Sequence, residues 1–203
     1  ADFDHDGDLD LFVANGRVTY EEPIPDPADP YAEENSLMER TGPTSFALVR
    51  PAGGTAEPLI ASSRAAAFGD LDGDGDVDVV VANRGGPLHF LRNVRPSVAG
   101  EGGRGRGWVL LRVLDERGSD AIGARVELTA AGRTQRRHVQ VAYSYCASND
   151  PRVHFGLGVA SATESVRVVW ADGTAEAFGP LPGGREHVLR RGQGRTQDAA
   201  DPR

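Results

Sequence analysis

Lysine is absent from this 203-residue chain, and all 22 basic side chains are arginine, a compositional bias from which no function follows. Cysteine occurs once, at Cys146, which excludes an intrachain disulfide and is compatible with an exported setting. As a nucleophile that thiol would need a histidine and an orienting partner, for which His138 and His154 are the candidates by sequence distance. The expectation is a buried, inert thiol. No apolar run approaches the roughly 18 residues a membrane-spanning helix needs. A P-loop, a Gly-x-Ser-x-Gly elbow and a histidine-rich metal cluster are also missing.

What is present is acid, concentrated in two places. The formal charge is -8, but residues 1 to 100 carry a net -11 and residues 101 to 203 a net +3. Ten aspartates account for this: Asp2, Asp4, Asp6, Asp8 and Asp10, then Asp70, Asp72, Asp74, Asp76 and Asp78. Without them the chain would stand at +2, so its acidity reports a metal site and not a basic partner.

Both runs alternate strictly, with carboxylates at loop positions 1, 3, 5, 7 and 9, glycine (Gly7 or Gly75) at position 6, and an apolar run directly after. Calcium takes about six to eight oxygens, and a curling chain supplies them from alternate side chains plus a carbonyl. Glycine permits the sharp turn. An EF-hand would close with a glutamate at position 12, where this chain has Val13 or Val81 inside a strand-like run, so the EF-hand is rejected. The expected element is a nine-residue calcium loop within a β-hairpin. Asp2, Asp4, Asp6 and Asp10, and Asp70, Asp72, Asp74 and Asp78, are its side-chain ligands; Asp8 and Asp76 offer carbonyls and turn their side chains outward. A solvated acidic tail would lack this double alternation. The ions are expected to be structural, because the carboxylates leave few open positions for a substrate.

The loops begin 68 residues apart, a period that suits a propeller blade carrying an insertion. Between them Glu21 to Glu34, rich in proline and acid, reads as an exposed excursion. Strands are expected at Asn35 to Arg40, Ser45 to Val49, Ala65 to Gly69, Val77 to Ala82 and Leu88 to Leu91. Pro96 to Gly107 reads as a flexible joint; two arginines in a glycine stretch fall short of an RNA-binding segment. Beyond it seven short strands are expected: Trp108 to Leu114, Ala124 to Thr129, Arg137 to Ala142, Val153 to Phe155, Ser165 to Trp170, Thr174 to Phe178 and Glu186 to Leu189. They predict a compact β-sandwich or barrel. The expected divisions are residues 1–97 for the blades, 98–107 for the linker, 108–192 for the second β domain and 193–203 for a disordered tail. Opening inside a calcium loop without an initiator methionine, the sequence reads as the C-terminal piece of a longer protein.

The first part, with Phe68-Gly69 before its second loop, resembles FG-GAP or VCBS calcium repeats of the integrin-α-like β-propeller. The second resembles the ASPIC/UnbV domain of the cartilage acidic protein family. That likeness is carried by Ala121-Ile122-Gly123-Ala124-Arg125-Val126, Tyr145, Asp150-Pro151-Arg152-Val153-His154-Phe155-Gly156-Leu157-Gly158 and Val168-Val169-Trp170-Ala171-Asp172-Gly173. The family usually has proline where Ala171 stands, and often a serine-glutamine pair where Ala147-Ser148 stands. The resemblance implies an all-β protein, with two Ca2+ sites in a partial propeller and a sandwich-like domain after it. It implies an exported protein, extracellular, periplasmic or at the cell surface, and a module for protein or glycan interaction or adhesion whose other contacts are the remaining blades. No catalytic residue is carried over. Phe155 and Leu157 are expected in the core, with Trp108 and Trp170, and Gly156 and Gly158 at backbone turns. An alternative is a catalytic or non-catalytic role in a secondary-metabolite pathway, as the UnbV name suggests. Nucleic-acid binding has only the +3 of the second half behind it and is not expected.

Overall fold

The computed structural model describes residues 1–19, 28–51, 54–94 and 107–197. Residues 98–106 of the expected joint and 21–27 of the acidic excursion lie outside those residues, while Gly107 already begins a strand. The protein is all-β, and its described sheets form no closed ring. In the first half β1 (Leu11–Val13), β3 (Ser36–Gly42) and β4 (Ser45–Leu48) form one antiparallel sheet. A second comprises β6 (Ser63–Gly69), β7 (Asp78–Asn83) and β8 (His89–Leu91), while β2 (Glu33–Glu34) and β5 (Ile60–Ala61) pair as a short ribbon. The second acidic loop is the connection between β6 and β7, with Gly69 paired to Asp78 at its base.

The core of this half is small. Among the described residues its apolar cluster buries Ala66, Val79 and Val81, with Phe3, Phe12 and Phe68 against them. Phe68 holds the cluster together: its ring meets Phe3 and Phe12 edge-on and stacks on Tyr143, each at 6.2 Å between centroids.

The second half is a two-layer sandwich. One layer has the order β11 (Arg133–His138), β10 (Arg125–Ala130), β13 (Ser165–Val169), β14 (Ala175–Ala177), β16 (Arg195–Gln197). The other places β9 (Gly107–Leu114) between β12 (Val153–Gly158) and β15 (Arg185–Arg190), the last running parallel to β9. Alternation decides which side chains meet between the layers. Val126, Leu128, Val166 and Val168 point inward from one sheet, and Val109, Leu111, Val113, Val153, Phe155 and Leu157 from the other.

Three expectations are corrected. The strand expected at Arg137 to Ala142 runs at β11 instead, because Ala131 (φ 47°) and Gly132 (φ 72°) make a two-residue left-handed turn that sets Arg133 opposite Ala130. The expected disordered tail contains β16. There the Glu176 carboxylate accepts the amides of Gly192 and Gly194, drawing the chain back along β14. Cys146 is exposed, in a left-handed conformation at φ 51°, and not buried. Phe155, Leu157 and Trp170 are core as expected, and Gly158 has φ 58°.

Candidate metal centres

The two acidic loops share one backbone shape. Positions 4 and 6 are left-handed in both: His5 (φ 60°) and Gly7 (φ 89°) in the first, Gly73 (φ 80°) and Gly75 (φ 93°) in the second. The carboxylates hold these turns together. Asp2 Oδ2 accepts the Gly7 amide and Asp70 Oδ2 the Gly75 amide, both at 3.0 Å. Asp4 and Asp72 accept the amide two residues on, as do Asp6 and Asp74. Each loop closes when Asp10 takes the amide of Phe3, or Asp78 that of Leu71. The outer oxygen of each closing aspartate takes one further amide, Arg40 for Asp10 and Asn93 for Asp78.

These turns bring oxygens of Asp2, Asp4 and Asp10 within 4.8 Å of one another, and likewise those of Asp70, Asp72 and Asp78. The structure does not bring the other four aspartates into those groups. Asp8 meets Arg40 and Arg133, Asp76 lies 3.2 Å from His5 Nε2, and Asp74 shares Arg92 with Asp72. Asp6 accepts the Asp8 amide. Asp74 is held below the ordinary aspartate range, its slight burial outweighed by the Asp76 amide and Arg92.

The donor set fits a hard dication. Asp2, Asp10, Asp70 and Asp78 are buried, and Asp2 Oδ1 is buried with no hydrogen-bond partner. An uncompensated buried carboxylate oxygen beside two more carboxylates is costly unless a cation neutralises it. Burial, with Asp4 and Asp6 adding repulsion, pushes the Asp2 carboxyl from an ordinary 3.8 up to about 7. Burial also raises Asp10 and Asp70.

The second half of the chain covers both loops. Gly156 donates its amide to Asp2 Oδ2 at 3.0 Å, and Gly158 donates to the His5 carbonyl at 2.9 Å. His154 Nε2 lies 3.0 Å from the Gly75 carbonyl; since a carbonyl only accepts, that nitrogen carries the proton. Arg152 donates to the Asp70 carbonyl at 2.7 Å while gripping Asp150. Arg133 and Arg137 reach the carbonyls of Asp6 and Gly7.

Comparison with known proteins agrees with this two-part layout. A family model for the FG-GAP-like repeat matches residues 2–81, one for the FG-GAP repeat matches 63–110, and one for ASPIC and UnbV matches 115–196. The chain carries FG-GAP repeats followed by an ASPIC/UnbV domain. Cartilage acidic protein 1 of Xenopus tropicalis is 28% identical over 186 residues, which cover 85% of this chain and 25% of that protein. The chain thus spans about a quarter of the length of that relative.

The Arg152 to Gly158 stretch of the ASPIC/UnbV domain has a double role that alternation explains. Val153, Phe155 and Leu157 face the sandwich core, while Arg152, His154, Gly156 and Gly158 meet the FG-GAP loops. Gly156 is needed for close approach, since a Cβ there would overlap Asp2 Oδ2 and His5. Sequence reasoning missed His5, Gly156, Arg137 and Gln135 as neighbours of the acidic carboxylates. The one available signal was His5 itself, a bulky residue at the loop position that Gly73 fills in the other repeat. Its ring lies 4.8 Å from that of His154.

A pH dependence follows from Asp2. In the cation-free protein the folded state keeps a proton that the unfolded chain loses near 3.8, so folded stability falls as pH rises from about 4 to about 7. Melting curves in chelator across that range are expected to show the decline. Calcium affinity at the first loop is expected to change oppositely, weakening as pH falls below about 7 because a proton competes for the same carboxylate.

Proposed function

We propose that this chain is an extracellular calcium-binding module, in which two Ca2+ ions lock the FG-GAP loops and the assembled surface engages a protein or glycan partner. The observation that carries the reading is the buried, unsatisfied Asp2 Oδ1 within a converging carboxylate group, in a loop whose geometry recurs 68 residues later. Asp2, Asp4 and Asp10, and Asp70, Asp72 and Asp78, supply the core ligands. Asp6 and Asp74 complete the shells by modest side-chain movement, while Asp8 and Asp76 contribute carbonyls. The likeness to a cartilage protein supports an extracellular setting and an interaction role. No described helix is long and apolar enough to cross a membrane.

Calorimetric titration of calcium into chelator-treated protein tests the reading. Two sites of micromolar to submillimolar affinity are expected, with the first lost in Asp2→Asn and the second in Asp70→Asn. An absence of heat and of any thermal shift in the wild-type chain would refute it.

A further inference from the structure

We propose that the ASPIC/UnbV domain supplies the outer shell of both cation loops, so that calcium binding at each loop is coupled to the contacts the domain makes on that loop. The inference rests on the calcium reading above and adds to it the regulation of those sites by a second domain.

The contacts are specific to each loop. At the first, Asp2 is held by two amides on one oxygen: Gly7 from its own loop and Gly156 from β12. Both amides go to Oδ2, while Oδ1 is buried without a hydrogen-bond partner and a carboxylate oxygen of Asp2 lies within 4.8 Å of oxygens of Asp4 and Asp10. At the second loop, Arg152 takes the Asp70 carbonyl and His154 the Gly75 carbonyl, fixing the backbone on either side of the turn. Outer-shell groups of this kind orient ligands before the ion arrives.

Glycines mark where the halves touch. A Cβ on Gly75 would overlap the Trp108 ring, one on Gly69 would come 2.9 Å from Asp150, and one on Gly7 2.9 Å from Gln135. The same closeness binds strand β6 directly to the second domain: Phe68 donates to Asn149 Oδ1, and Asp150 donates back to the Phe68 carbonyl, both at 3.0 Å. Coupling is reciprocal, so a contact that aids calcium binding is itself strengthened by calcium. Such a contact costs less to form when the ion has already ordered the loop, and the ion binds more tightly to a loop already held in shape.

The test is calcium titration of the whole chain followed by amide NMR, with Gly7 and Gly75 reporting separately on the two loops. Gly156→Ala keeps the amide, but its Cβ would overlap Asp2 Oδ2 and His5 and push that amide away. It is expected to weaken the first site about 10- to 100-fold, the usual range for loss of an outer-shell partner, and to leave the second unchanged. Arg152→Ala, on the partly exposed edge, is expected to weaken the second site and spare the first; it decides the matter if Gly156→Ala does not fold. In the wild type, hydrogen exchange at the Gly156 amide is expected to slow at least tenfold on adding calcium. Global destabilisation alone would move both sites together and would overturn the proposal, as would wild-type affinities in both variants. A wild-type chain that binds no calcium overturns the underlying calcium reading instead.

Discussion

Stripping calcium from this chain is expected to lower its melting temperature by about 10–20 °C. A site with a Kd near 10 μM at millimolar calcium adds about 2.7 kcal/mol, and two such sites add about 5. For a chain of this length each kcal/mol corresponds to about 2–4 °C. The first half has few means to compensate, because among the described residues its apolar cluster buries just three side chains. Without the ion, Asp2 and Asp10 remain as buried carboxylates facing Asp4. Scanning calorimetry in calcium and in chelator measures the difference directly. A shift smaller than about 2 °C would mean that the loops are held by their own hydrogen bonds and not by a cation.

The second large effect lies in the sandwich. Phe155→Ala is expected to cost about 3–5 kcal/mol, the range for truncating a fully buried aromatic. Phe155 is 0% exposed, between the two layers, with the Arg137 guanidinium 5.5 Å from its ring centre. Because Phe155 sits between His154 and Gly156 on β12, its loss is also expected to weaken calcium binding at both loops. Val188→Ala, on an exposed position of β15, is the control and is expected to change stability by less than about 0.5 kcal/mol. Denaturant unfolding measures both; a cost below about 1 kcal/mol for Phe155→Ala would contradict the packing described above.

Most strands were legible because the signals for them are local. Val126-Glu127-Leu128-Thr129 alternates and is followed by a left-handed turn at Ala131-Gly132. Asp172-Gly173 closes another hairpin, where Trp170 donates to the Thr174 carbonyl. The strand at Arg195–Gln197 was not legible. Its partner is β14, and the Glu176 carboxylate that turns the chain toward it is 16 residues upstream of Gly192. Cys146 was misread because exposure at a turn depends on what packs nearby, and the residue's own chemistry carries no sign of that.

By itself the sequence determined the two acidic loops, the run of short strands and the core face of the Arg152 to Gly158 stretch. Those follow from spacings of two residues, from glycine at a left-handed turn and from apolar alternation, all of which act over a few neighbours. Only the tertiary structure decided what the other face of that stretch does. Gly156 meets Asp2 across 154 residues of chain, and Arg152 meets the Asp70 carbonyl across 82. No periodicity records such pairings, because they depend on which sheet edge is left open when the sandwich closes and which loop is shaped to fill it.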